Sequence, residues 1–297
     1  MSFLWFLSDF RTPFLDKLMQ FITYFGQELI VIAVICALYW CVDKRFAYLL
    51  GFTYFTAGLC VQALKITFRI PRPWILDPNF HAVKSALPGA TGYSFPSGHT
   101  QSATALFFPL ALRAKKKVFK LLFVLMFLLI GFSRMYLGCH TPKDVFVSMG
   151  ITLLVSLGLW HFQDFILNDT EHLKLIAIVL SVFSVFVAVY ALILNNSGII
   201  EAKYAIDCSK AAGAGLAFSA GWYLERTRLN FDTYEMNKKR QFFKLFIGLL
   251  IALGLKKGFS FAFGSSVLAK MSEYFILVLW VLIIYPFLFT KIKRRTS

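Results

Sequence analysis

Residues 118–144 read VFKLLFVLMFLLIGFSRMYLGCHTPKD. Between Lys120 and Arg134 no side chain is ionisable, so a helix here is apolar on every face. A helix with no polar face belongs in a deep core or in a membrane. The run ends abruptly in a polar block: Ser133 and Arg134, then His140, then Asp144. The same alternation of long apolar run and short polar block recurs along all 297 residues, which are 58% hydrophobic and only 15% charged. Soluble domains run to roughly 25% charged residues, and one membrane crossing takes about 20 mostly apolar residues. The expected fold is therefore all-α, a polytopic membrane helix bundle.

Working outward, nine spans are expected, near residues 21–40, 46–68, 99–113, 118–134, 145–162, 173–194, 210–225, 242–258 and 273–290. Before them, the Trp- and Phe-rich residues 2–10 read as a short interfacial helix. Thr12 and Pro13 then suit an N-cap and a first helical position. Met1 to Phe10 shows no basic leader and no small-residue cleavage site, so insertion is expected to rest on the first span. Three segments follow: 1–45 with the interfacial helix and first span, 46–162 carrying every polar cluster, and 163–297 as a four-helix extension. In the last, the Ala-, Gly- and Ser-rich residues 211–220 are expected to let helices approach closely.

The net charge of +16 is distributed in short blocks between apolar runs: Lys44 and Arg45; Arg113, Lys115 to Lys117 and Lys120; Arg226, Arg228 and Lys238 to Arg240; and Lys291 to Arg295. With nine spans, all these blocks fall on one side, which the positive-inside rule makes cytoplasmic. That placement speaks against nucleic acid as a partner. It also puts the polar clusters on the opposite side. Cys36, Cys41 and Cys60 lie in or beside apolar runs, whereas Cys139 and Cys208 are expected in loops. Five cysteines without a repeated spacing support neither a metal site nor a disulfide framework.

Three clusters carry chemistry. Lys65 and Arg72 are seven apart, which puts them on one face if the second helix continues that far. Pro71 and Pro73 hold the backbone around Arg72. Taken alone, Lys65 or Arg69 reads as an interfacial anchor. Next, Pro96-Ser97-Gly98-His99 opens an apolar helix, with Ser97 as cap and Gly98 leaving the backbone open to an anion. Finally, Thr141 and Pro142 suit the start of the fifth span, placing Asp144 in its first turn. Asp144 reads either as a helix-start acid or as the acceptor that fixes the His140 tautomer. Ionisable groups at this depth are functional by default.

Together, Lys65, Arg72 and Pro73, then Pro96 to His99, then Ser133, Arg134, His140 and Asp144 resemble the signature of the type 2 phosphatidic acid phosphatase superfamily. The resemblance covers about residues 46–162. It implies hydrolysis of a lipid phosphate through a phosphohistidine, without metal or cofactor. His140 would attack phosphorus, Asp144 would raise its basicity, and His99 would protonate the leaving oxygen. Lys65, Arg72, Arg134, Ser97 and the Gly98 amide would hold the phosphoryl oxygens. Such chemistry is mostly positioning and charge stabilisation, and no Asp-x-Asp motif offers a metal.

The expected partners are a lipid phosphate substrate and membrane lipids, with a homo-oligomer left open. Phosphatidic acid, phosphatidylglycerol phosphate, sphingoid-base phosphates and undecaprenyl diphosphate all fit. Alternatives are a phosphotransferase with a non-water acceptor and an anionic-lipid transporter, which has no use for a His140–Asp144 pair. His81, Lys84 and Tyr93 read as loop residues near substrate entry, and Tyr136 and Lys143 as neighbours of the nucleophile. A bacterial plasma membrane, with the site outside, is the expected location.

Overall fold

The computed structural model describes residues 1–168, 171–233 and 238–296, with backbone alone at 292–296. The basic side chains expected at 293–295 thus lie outside the described residues, as do residues 169 and 170 of the polar join. The chain is helical almost throughout, and its described residues form two units. One comprises Met1–Ile32 with Cys60–Trp160, the other Ala33–Leu59 with His161–Ser297.

The first unit opens with α1 (Ser2–Ser8) and α2 (Pro13–Tyr24). Thr12 caps α2 by accepting a hydrogen bond from the Leu15 amide, with Pro13 at the first helical position. The single first span expected over 21–40 is instead a bent pair, α2 and α3 (Glu28–Ala37), broken at residues 25–27. Gly26 lets the chain at this break pack closely against its neighbours. A Cβ on it would come within 2.7 Å of Ile130 and 3.0 Å of the His99 carbonyl.

Helix α4 (Lys44–Phe68) contributes its last turns to this unit and ends earlier than the Lys65–Arg72 pairing assumed. Arg69 adopts a left-handed backbone with φ 49°, so the helix stops four residues short of Arg72. Pro71 supplies a reason, since a residue preceding proline avoids helical geometry. Arg72 instead caps the four-residue α5 (Pro73–Leu76). A short 3₁₀ segment (Lys84–Gly89) follows, then α6 (Gly98–Arg113), α7 (Lys117–Tyr136) and α8 (Pro142–His161). Ala86, Ala90, Tyr136, Leu137 and Cys139 form a buried cluster that seats the 3₁₀ segment against the end of α7. Cys139 lies in the loop expected for it, and its side chain is buried in this cluster.

The second unit holds the start of α4, then α9 (Gln163–Leu167), α10 (Leu173–Asn196), α11 (Ala202–Leu224), α12 (Lys238–Phe263), α13 (Val267–Leu279) and α14 (Tyr285–Thr296). Since α11 begins at Ala202, Cys208 lies inside a helix and not in the loop expected for it. The close approach expected of its small residues is present. A Cβ on Gly213 would strike the Met271 carbonyl, and one on Gly215 would stand 2.6 Å from the Ser184 hydroxyl. Buried Glu225 is held by Lys44 at 2.9 Å, by the Phe231 amide and by the Tyr48 hydroxyl.

Six described helices are long and apolar enough to cross a membrane, or seven with the bent pair as one. The expectation of about nine adds two more. One is α6, only 16 residues long. The other is α11, which carries Lys203, Asp207 and Lys210 among its small residues. The architecture is that of a polytopic helical membrane protein.

Candidate active site

Helix ends in the first unit bring the sequence clusters together. Ser97 caps α6 through its hydroxyl, which accepts from the Thr100 amide. The amides of Gly98 and His99 are the first of that helix and have no carbonyl one turn earlier to receive them. A Cβ on Gly98 would meet nothing within 4 Å, so the helix start opens onto free space. The positive end of the helix dipole adds to this anion-accepting surface. A cis Phe95–Pro96 peptide leads into the cap.

Across from it, Thr141 and Pro142 start α8 with Asp144 in the first turn. The Asp144 carboxylate reaches back to the Thr141 amide at 2.8 Å, and its other partner is the Ser94 hydroxyl at 2.6 Å. Its backbone carbonyl accepts from the Ser97 amide at 3.0 Å, joining the second cluster to the third. The hydrogen bond expected from His140 to Asp144 is not formed. Nδ1 lies 3.6 Å from Oδ2, an electrostatic pairing beyond hydrogen-bond range. Ser94 and Thr141 already occupy that oxygen, which accounts for the gap.

On its other side, His140 Nε2 lies 2.9 Å from Arg72 Nη1. A guanidinium only donates, so Nε2 presents its lone pair and the proton resides on Nδ1, facing Asp144. Burial holds the His140 imidazole well below its ordinary pKa, and the charges of Arg72, Arg134 and Lys65 push in the same direction. The ring is neutral at pH 7, with its one lone pair turned to Arg72.

The cations are fixed by backbone carbonyls. Arg72 donates to Gly92 at 2.7 Å and to Cys139 at 3.0 Å, while Lys65 donates to Tyr93 at 2.6 Å. Arg134 differs: it is only 1% exposed, and Nη1 donates to the Thr23 hydroxyl at 3.2 Å. Its Nε and Nη2 are buried without a partner. Charges of this kind are costly to bury unless paired, and that bare edge matches the fork that grips two oxygens of a phosphate. The His99 ring is half-buried and within electrostatic reach of Arg134, His140, Arg72 and Lys65. All eight candidate residues thus belong to one unit, and both imidazoles feel the charges of Arg72, Arg134 and Lys65.

Several neighbours take other places. Tyr136 turns its hydroxyl to Asp16 and to the Phe10 carbonyl, and Lys143 lies over the Phe95 ring. His81 and Lys84 line a cavity of about 700 Å³ beside α2, together with Arg11, Lys17, Gln20 and Phe21. Tyr93 gives its carbonyl to Lys65. Sequence reasoning missed Thr23, Ser94, Arg11 and Gly138. Gly138 was the most readable of them, as a glycine just past a helix end. Its φ is +77°, and a Cβ there would strike Arg11 at 2.7 Å and the Phe80 ring at 2.9 Å. Among the described residues, no group of three or more His, Cys, Asp or Glu side chains gathers to hold a metal.

A bundle of apolar helices whose ends enclose arginine, lysine and histidine defines a membrane protein built to handle an anionic ligand. Comparison with known proteins makes the class specific. Residues 46–167 match the PAP2 superfamily, and residues 209–297 match the PAP2 superfamily phosphatase, transmembrane extension. Undecaprenyl-diphosphatase BcrC of Bacillus subtilis (strain 168) is 31% identical over 155 residues, spanning 50% of this chain and 76% of that protein. No solved structure matches. The chain belongs to the type 2 phosphatidic acid phosphatase superfamily, and it is an integral membrane hydrolase of lipid phosphate esters or diphosphates.

Proposed function

We propose that the protein releases inorganic phosphate from a lipid-linked diphosphate by way of a phosphohistidine on His140. The observation that carries this reading is the buried, unpartnered edge of Arg134 in the same site as a neutral His140 imidazole. A phosphoryl oxygen takes over the Arg72 Nη1 hydrogen bond, which frees the Nε2 lone pair of His140 to attack the terminal phosphorus, and the P–O bond to the lipid-bearing leaving group breaks. The positive charge gained by the imidazole is met by Asp144 beside Nδ1. His99 takes up a second proton as the anionic phosphate enters beside it and gives that proton to the leaving oxygen. Lys65, Arg72, Arg134, the Ser97 hydroxyl and the Gly98 amide carry the charge on the phosphoryl oxygens, the largest contribution such a site makes. Water, deprotonated by His99, then attacks phosphorus, and phosphate leaves with His140 restored.

A polyprenyl diphosphate is favoured over phosphatidic acid, phosphatidylglycerol phosphate and sphingoid-base phosphates because the relative in Bacillus subtilis is named for undecaprenyl diphosphate. The charge pattern of the connecting loops supports a site on the extracytoplasmic side of a bacterial plasma membrane.

The test is phosphate release from a panel of these lipids by the purified protein in detergent with EDTA and no added acceptor. Preferred turnover of the diphosphate, lost in His140→Ala, is the expected result. Loss of the lipid's phosphoryl group only when an acceptor is added, with the group found on that acceptor, would make the protein a transferase, and no turnover of any lipid would leave transport of an anionic lipid as the better reading.

A further inference from the structure

Arg134 is the most sequestered cation of the site, and its aim is set from outside the stretch that carries the motifs. Thr23 lies in the last turn of α2, beyond the matched residues 46–167, yet it belongs to the same unit as the site and is 1% exposed. Its hydroxyl accepts from Arg134 Nη1 at 3.2 Å. No other described protein group bonds that guanidinium, whose Nε and Nη2 are buried without partners. A long arginine side chain has many rotamers. One bond at Nη1 selects among them and leaves the Nε/Nη2 edge as the fork. The C-terminal end of α2 adds the negative end of a helix dipole beside the cation.

The placement of α2 is itself constrained at two points. Gly26 lets the turn after α2 press against the His99 carbonyl and Ile130, where a Cβ would come within 3.0 Å and 2.7 Å. At the other end Arg11 donates to the carbonyls of Tyr136 and His81 at 3.1 Å and 2.5 Å. The N-terminal segment is thereby tied both to the end of α7, which carries Arg134, and to the start of α6, which carries His99.

We infer that Thr23 is a positioning residue for phosphoryl transfer: its hydroxyl aims the Arg134 fork, so that the N-terminal helix completes the active site. This inference rests on the role proposed above for Arg134. The side chain touches no reacting atom and acts only through the guanidinium. Valine has the shape of threonine without the hydroxyl, so Thr23→Val removes the acceptor and little else, whereas Thr23→Ser keeps it.

The experiment measures kcat and KM of the full chain in detergent for Thr23→Val, Thr23→Ser, Arg134→Lys, Arg134→Ala and the double variant Thr23→Val/Arg134→Lys, with a thermal melt of each. We expect Thr23→Val to lower kcat about tenfold at unchanged melting temperature, and Thr23→Ser to stay within about twofold. In the Arg134→Lys background, Thr23→Val should cost nothing further, because the fork it aims is already gone. Equal losses in the valine and serine variants would overturn the inference, as would a full additional loss in the double variant or a Thr23→Val enzyme as fast as wild type. Undiminished activity in Arg134→Ala would instead overturn the reading of Arg134 on which it stands.

Discussion

Arg72 Nη1 lies 2.9 Å from His140 Nε2 and 3.0 Å from the Cys139 carbonyl, so one guanidinium nitrogen grips both the nucleophile and its backbone. Its Nε is anchored separately to the Gly92 carbonyl. The arrangement needs a planar, multiply donating head, and lysine offers a point charge. Arg72→Lys is predicted to lower kcat/KM by about tenfold to a hundredfold, the worth of one charge-assisted hydrogen bond of about 1.5–3 kcal/mol. Steady-state kinetics on the preferred lipid checks this, and a loss under about threefold would show that charge alone suffices.

Burial first, then the charges of Arg72, Arg134 and Lys65, hold the His140 pKa well below its ordinary 6.5. On unfolding, the ring returns to that ordinary value and binds protons more readily than in the folded state. The stabilisation from keeping it neutral is fully present above about pH 6.5 and falls as the pH drops toward the folded value. Thermal melts of wild type in detergent, taken between about pH 7.5 and pH 5, should therefore decline. His140→Asn should remove part of that decline. Parallel pH dependences for the two proteins would refute the assignment.

Much of this was legible from the chain. Apolar runs, polar blocks and helix-start residues such as Ser97 and Pro142 are local signals, and the structure places helices α6 and α8 where those signals lie. What escaped was set by tertiary packing. Nothing local marks Thr23 as the partner of a residue 111 positions away, or Ser94 as the partner of Asp144. The helical continuation from Lys65 to Arg72 failed for a local reason that was present in the sequence. Pro71 weighs against a helical Ile70, and the chain reverses at Arg69 instead.

Ser94 lies outside the recognised motif, yet its hydroxyl gives Asp144 a 2.6 Å hydrogen bond. With Ser94→Ala, Asp144 keeps the Thr141 amide but loses one of the two bonds that hold Oδ2 3.6 Å from His140. The expected outcome is a fall in kcat of about tenfold, the lower end for a hydrogen bond of about 1.5–3 kcal/mol to a charged carboxylate, with KM unchanged. Asp144→Asn removes the charge itself and should lose about a hundredfold or more, by analogy with carboxylates that orient catalytic histidines. If Ser94→Ala proved as damaging as Asp144→Asn, the serine would have to act on substrate directly.

Gly138 combines two constraints that alanine violates together. Its φ of +77° disfavours a side chain, and the space a Cβ would fill is taken by Arg11 Nη2 at 2.7 Å and Phe80 at 2.9 Å. The residue follows the C-cap of α7 and precedes Cys139, whose amide bonds the Arg134 carbonyl. Gly138→Ala should cost about 1–3 kcal/mol, visible as a lower melting temperature in detergent. The displaced Arg11 would loosen its bonds to Tyr136 and His81, so kcat should fall as well. A shorter side chain at position 11 relieves the clash with Arg11 but neither the contact with Phe80 nor the backbone strain. Arg11→Ala combined with Gly138→Ala should therefore recover little of the lost stability, and full recovery would show that the steric contact, rather than the left-handed backbone, is what requires glycine there.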